Sequence, residues 1–264
     1  MVSNEQFGDL KISGSGSAAG GRYRIASISG SGKIVGDVNC EKFSISGSGK
    51  VEGAVISNGF SISGCGKVSG DLNCVTGSIS GSGSVLGSIH AKKFNISGSG
   101  KIGGNFKGEE LTVAGSGRIE GRINATNVKL LGAIRVSHGI EGEIINIKGV
   151  LKTLGMVNGD EVNIELNGGC EVEEIGATKV RVLKEYSTMN AIGRFICKLF
   201  SKNFGYLTIR TIEADEIYLE NTIADVVRGG KITIGEGCKI KRIEYSESLE
   251  KLNSESVIEE EMKL

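Results

Sequence analysis

The chain has 264 residues, with 31 Lys and Arg against 31 Asp and Glu, 42 Gly, and no Pro or Trp. The charge balance excludes a global basic field of the kind that draws nucleic acid. Gly and Ser at this level suggest a linker, but Ile, Val, Leu and Phe recur among them at fixed columns, which excludes a structureless chain.

Residues 1–9 read as a flexible lead-in. From about Leu10 the pentapeptide Ile-Ser-Gly-Ser-Gly returns again and again. It stands at Ile12–Gly16, Ile28–Gly32, Ile45–Gly49, Ile79–Gly83 and Ile96–Gly100, with Cys65 replacing a Ser in Ile62–Gly66. The first step is 16 residues and later steps are 17. Around it run apolar columns. One is Ile28, Ile45, Ile62, Ile79, Ile96, Val113, Leu130, Ile147, Ile164; another is Ala26, Phe43, Phe60, Gly77, Phe94, Leu111. A third is Ile34, Val51, Val68, Val85, Ile102, Ile119, Val136, and a fourth is Val38, Val55, Leu72, Ile89, Phe106, Ile123, Ile140, Val157. Gly77 alone breaks them.

Each period thus holds three short alternating stretches separated by Gly, too short for hairpin strands and wrong in period for a helix. The solution is an all-β fold, a parallel β-helix (β-solenoid) in which each 17-residue coil stacks in register on the last. Repeated Gly suits tight corners, and the absence of Pro leaves every backbone N–H free to pair. One coil cannot bury its apolar face alone, so stability is cumulative.

The main solenoid is expected over 10–183, with its register slipping near Lys179–Val182. Residues 184–206 read as an amphipathic helical insertion: Ile192, Phe195, Ile196, Leu199 and Phe200 follow helical spacing, with Arg194, Lys198 and Lys202 interspersed. Lys179–Lys202 carries six basic residues and one acid. Beyond it, Ile209, Val226 and Ile243 step by 17, as do Ile217 and Ile234, and Ile223 and Ile240, which predicts about two further coils over 207–245. Residues 246–264 read as an acidic tail, mobile or marginally helical; Glu244–Leu264 holds seven Glu and two Lys.

These residues resemble the bactofilin family, bacterial polymer-forming cytoskeletal proteins. The Gly-rich, 17-step ladder with "ISGSGK"-like and "KVEGAV"-like stretches carries the likeness over about 10–180, with weaker support from 207–245. The chain looks closer to the longer variants of Gram-positive bacteria. It lacks Pro-rich flanks and adds the insertion and a second short solenoid piece. The resemblance implies a right-handed, three-sided β-helix that polymerises end to end without nucleotide. It also implies a scaffold for cell shape, cell-wall enzymes or appendage assembly.

Other chemistries find little support. Gly47–Lys50 and its repeats look like part of a phosphate loop, but the full spacing and the following helix are missing. His90 falls in a tolerant outward column and His138 on a Gly column, so both read as surface or corner residues rather than a general base. Cys170, Cys197 and Cys238 lack ligand-spaced companions, and the Asp of calcium-binding nonapeptides is absent, so no cofactor or metal is expected. The six Cys form no C-x-x-C pair. No basic-then-apolar leader opens the sequence and no run of about 18 apolar residues occurs, so reduced thiols and a cytoplasmic location are expected.

The expectation is therefore a non-enzymatic scaffold whose first partner is a second copy of itself, with no nucleic acid. Exposed coil ends are templates for another chain. Leu10, Ile12 and Ile28 at one end and Ile232, Ile234, Ile240 and Ile243 at the other are the expected polymer interface. Arg194, Phe195, Lys198, Leu199, Phe200 and Lys202 are read three ways: packed across the solenoid, lying in a membrane surface, or holding a partner. Two readings of different class stay open, a left-handed β-helix acyltransferase using His90 or His138, and a non-polymerising adaptor.

Overall fold

A computed structural model describes residues 7–184 and 205–264. It is an all-β parallel solenoid, with no helix among the described residues. The amphipathic helix expected over 184–206 falls on 185–204 and lies outside them. The chain divides into two compact units, residues 1–125 and 126–264.

The first unit runs through β1 (Leu10–Ile12), β2 (Ser17–Ile28), β3 (Lys33–Ile45), β4 (Lys50–Glu52), β5 (Val55–Ile62), β6 (Lys67–Val68), β7 (Leu72–Ile79), β8 (Ser82–Val85), β9 (Ile89–Ile96), β10 (Ser99–Ile102) and β11 (Phe106–Ile119). Strand β12 (Ile123–Val136) crosses the boundary. The second unit continues with β13 (Ile140–Thr153), β14 (Met156–Leu166), β15 (Cys170–Lys184), β16 (Leu207–Leu219), β17 (Thr222–Ile234), β18 (Lys239–Lys251) and β19 (Val257–Lys263).

In the first unit every pairing is parallel and one coil apart. Val38 lies on Val55, Val55 on Leu72, Leu72 on Ile89 and Ile89 on Phe106, a constant step of 17. The four apolar columns are the core: Ile34, Val51, Val68, Val85 and Ile102 are all fully buried, as are Phe43, Phe94 and Phe106. Side chains alternate in and out along each strand, so one slip of register would turn the whole set to solvent.

The break at Gly77 has a packing reason. A Cβ there would sit 2.3 Å from the Phe94 ring. Phe60 and Phe94 are two coils apart, yet their ring centroids are 6.4 Å apart, close to the 5.6 Å between the adjacent-coil rings of Phe43 and Phe60. Phe94 fills the space that Gly77 leaves, and the aromatic stack continues.

The pentapeptide glycines are needed for closeness more than for turning. A Cβ on Gly47, Gly64, Gly81 or Gly98 would lie 2.3–2.4 Å from the carbonyl oxygen of the matching Gly one coil earlier. None of these four has positive φ. The second Gly of the motif is not an outer residue: Gly49, Gly66, Gly83 and Gly100 are buried, and a Cβ there would strike an Ile of the first column within 3.0 Å. The motif is therefore Ile inward, Ser outward, Gly under the neighbouring coil, Ser outward, Gly inward.

At the other Gly corner the following side chain links the coils. Asp37 Oδ1 accepts from Ala54 N at 2.7 Å, Asp71 Oδ1 from Ser88 N at 2.7 Å, Ser88 Oγ from Asn105 N at 3.1 Å and Asn105 Oδ1 from Arg122 N at 2.8 Å. Each satisfies a corner N–H of the next coil that has no strand partner.

The second unit keeps the parallel register but not the constant step. Ile140 lies on Val157, a step of 17; Val157 lies on Ile175, a step of 18. Cys170 lies on Leu207, a step of 37, and Val182 still lies on Leu219. Leu207 lies on Thr222, a step of 15. The expected 17-step pairs are therefore not the stacked ones: Ile209 lies on Ala224 rather than Val226, Ile217 on Ile232, Leu219 on Ile234 and Ala224 on Ile240. Steps of 15 and 17 differ by one strand period, so apolar residues on one face satisfy both patterns equally.

The acidic tail is also corrected. β18 extends to Lys251, and β19 pairs parallel on it from Lys239–Val257 to Tyr245–Lys263. Cross-coil pairing offsets the charge: Arg242 reaches Glu260 at 2.6 Å, and Lys251 pairs with Glu261. Charge density alone suggested a solvated tail because alternation and pairing across coils are invisible to it.

Candidate interaction surfaces

At its N-terminal side the first unit presents β1, which pairs on β2 through Leu10–Ala26 and Ile12–Ile28. Ile12 is 9% exposed and Leu10 half-buried. Ile28, expected at the same surface, is covered by Ile12. The interior is open here. Gly16 is exposed although Gly32 and Gly49 of its column are buried, and Ala18 is half-buried where Ile34 and Val51 are sealed. The inward positions of this coil are small or apolar and carry no charge.

At the C-terminal side of the second unit, Ile232, Ile234, Ile240 and Ile243 are at most 2% exposed. They do not form the outer surface. Leu249 covers Ile232, Lys251 covers Ile234, Ile258 covers Ile240 and Glu261 covers Ile243. The correction follows from the one above: a sequence read as a tail is the coil that covers them. Lys251 and Glu261 hold two of the four inward positions and pair with each other, a polar cover of the kind that terminal repeats use. Exposed apolar residues remain beside them, Leu252, Val257 and Met262.

Arg194, Phe195, Lys198, Leu199, Phe200 and Lys202 lie outside the described residues. His90 and His138 are both exposed and belong to different units. Among the described residues no group of three His, Cys, Asp or Glu could hold a metal ion. No helix among them is long and apolar enough to cross a membrane.

An open groove lies in each unit at a corner where small residues stack. In the first, Ser57, Cys74, Ala91 and Gly108 line a space of about 470 Å³. In the second, Gly159, Ala177, Ala214 and Gly229 line about 530 Å³. The buried Ser57 Oγ lacks a hydrogen-bond partner. Burial disfavours the thiolate of the thiols near the core, pushing Cys40, Cys170 and Cys238 up to about 11 and Cys74 up to about 12. The described cysteines are free, with Cys65 alone exposed.

The fold defines a class: a parallel β-solenoid repeat protein with ends, faces and corner grooves as its available surfaces. Among relatives, the chain is 41% identical over 93 residues to the uncharacterized protein YhbF of Bacillus subtilis. That stretch spans 35% of this chain and about a third (34%) of the relative's length. No protein-family model and no solved structure matches the chain.

Proposed function

We propose that the protein is a non-enzymatic structural scaffold of the bactofilin type, a cytoskeletal β-helix that assembles through its coil ends without nucleotide. The observation that carries this reading is the first coil. β1 pairs on one edge only among the described residues, above an interior of small and apolar side chains with no charge. Such an edge is a template for another strand, and the apolar area beneath it supplies the driving force. A right-handed, three-sided coil belongs to this proposal, as do a cytoplasmic setting and the recruitment of cell-wall or appendage-assembly proteins.

The other end is less suited to the same contact, because Lys251 and Glu261 would have to lose water. Pairing is assigned to Leu10 and Ile12 rather than to the four buried Ile residues of the second unit. Electron microscopy and sedimentation of the full chain test this. Ile12→Lys should abolish or shorten assemblies while leaving the circular dichroism of the fold intact. Assemblies of unchanged length would overturn the assignment, and a chain that stays monomeric at every concentration would overturn the scaffold itself.

A further inference from the structure

We infer that one face of the first unit is a docking surface for a bilayer carrying anionic lipid headgroups. The motif's trailing Lys, read in sequence only as part of a failed phosphate loop, stacks coil on coil. Lys33 lies on Lys50, Lys50 on Lys67, Lys67 on Ser84, Ser84 on Lys101 and Lys101 on Arg118. At about 4.8 Å per coil this is a straight row of roughly 24 Å. All five cations are partly or fully exposed.

The face has three outward columns, and its acids are few. Glu52 holds Lys33 at 2.6 Å and Lys50 at 2.5 Å, and Glu120 holds Lys101 at 3.3 Å. Five cations against two carboxylates leave an excess of three positive charges. Beside the row the column Ser31, Ser48, Cys65, Ser82, Ser99, Ser116 is uncharged. Two apolar side chains share the face, Val35 at 48% and Leu86 at 40% exposure.

A parallel sheet face with a basic row interrupted only at Ser84, and with interspersed apolar side chains, fits a plane of negative headgroups over an acyl boundary. A curved or helical polyanion would meet only part of so straight a row. The charge of the chain is divided in the same sense. Residues 1–125 hold 13 Lys and Arg against nine Asp and Glu, whereas 126–264 hold 18 against 22. In the second unit the 17-residue period still gives Arg135 and Lys152, but the stacked series beyond them, Glu171, Thr208, Ile223, Lys239, Val257, has no basic run.

The test is co-sedimentation of the full chain with phosphatidylcholine vesicles, with and without phosphatidylglycerol. Binding should require the anionic lipid and fall steeply between about 0.05 M and about 0.5 M salt. Each charge removed should weaken it about fivefold, so Lys67→Ser with Lys101→Ser and Arg118→Ser should lose about a hundredfold. Serine is already present in the row at Ser84, so the fold tolerates it. Ser84→Lys should tighten binding about fivefold, a gain that misfolding cannot produce. Lys42→Ser with Lys93→Ser and Lys107→Ser, the same charge loss elsewhere, should change it less than about threefold. Equal loss in the two triple variants would overturn the inference, and so would equal pelleting with neutral vesicles or tighter binding to soluble polyphosphate. Ile12→Lys should bind vesicles like the parent at low density, so failure of assembly and failure of this surface are read apart.

Discussion

The two units fold by the same rule with different means of fixing it. The first steps by 16 in its opening coil and by 17 thereafter, and holds 27 of the 42 Gly; the second steps by 17, 18, 37, 15, 16 and 18 and holds 15. In the first, coils meet so closely at the pentapeptide corner that only Gly fits. In the second the same closeness survives at one 17-residue step, where a Cβ on Gly149 would lie 2.3 Å from the Gly132 carbonyl oxygen, and charged pairs reach between coils, as some do in the first: Lys148 with Glu165 and Arg210 with Glu173, both at 2.8 Å. Backbone contact demands one coil length, because any inserted residue would move a Gly out from under its carbonyl. Long charged side chains tolerate variation, since a Lys or Arg can reach across a changed corner. That tolerance lets the second unit keep its register across a step of 37, with Val182 on Leu219.

The largest expected effect lies in the stack of the first unit. Phe94 fills two coils' worth of space, its own and that left by Gly77. Phe94→Ala should cost about 3–5 kcal/mol in urea unfolding. Moving the ring one coil back, as Gly77→Phe with Phe94→Gly, should recover part of the loss, with a coupling of about 1–2 kcal/mol. Strictly additive losses would mean that the gap and the ring are not matched.

A smaller effect compares corners directly. Gly64→Ala puts a Cβ 2.3 Å from the Gly47 carbonyl oxygen, a backbone atom that the stacked coils hold in place. The expected loss is about 1–3 kcal/mol. Gly176→Ala in the second unit meets the Met156 Cε, the far end of a flexible side chain, at 2.5 Å. It should stay within about 0.5 kcal/mol. Equal losses at both positions would show that these two corners do not differ in how closely their coils approach.

The same difference explains what the sequence disclosed. Where packing demands identity, as in Gly47, Gly64 and Gly81, the residues repeat and the coil is legible down to its four inward columns. Where a two-residue change keeps the face, as between Leu207 and Thr222, periodicity chose the wrong partners. The open end at Leu10 and Ile12 was legible because its apolar residues belong to the repeat. The opposite end was misplaced by a coil, because Lys251 and Glu261 stand at inward positions where an apolar residue is the rule. The basic row was visible only as a repeated Lys after Gly-Ser-Gly, and its alignment depends on register, which a single copy does not carry. The corner acceptors Asp71 and Asn105 had a weak signal, a short polar residue after a repeated Gly.

The smallest effect concerns charge. Glu244 is 7% exposed by side chain, with Arg228 Nε at 2.7 Å and an Arg242 nitrogen at 3.6 Å. The Arg228 hydrogen bond, against the cost of burial, holds its carboxyl below the usual carboxylate range. Glu52 in the first unit is also lowered, chiefly by hydrogen bonds from Lys33 and then Lys50, but its side chain is 32% exposed. A carboxyl that is more acidic when folded lets the unfolded chain take up protons first as pH falls. Its contribution is therefore complete above the unfolded value of about 4.3 and is lost as pH drops through the lower folded value. Glu244→Gln should destabilise the second unit by about 1 kcal/mol at neutral pH. The gap from the parent should close on acidification through that window and change little with salt. Glu52→Gln should show the same sign but a smaller effect that salt removes, since water and ions screen an exposed pair. Thermal unfolding of both variants across pH and salt decides it. A Glu52 effect as large and as salt-resistant as that of Glu244 would mean that the first unit, too, depends on charge to hold its coils in register.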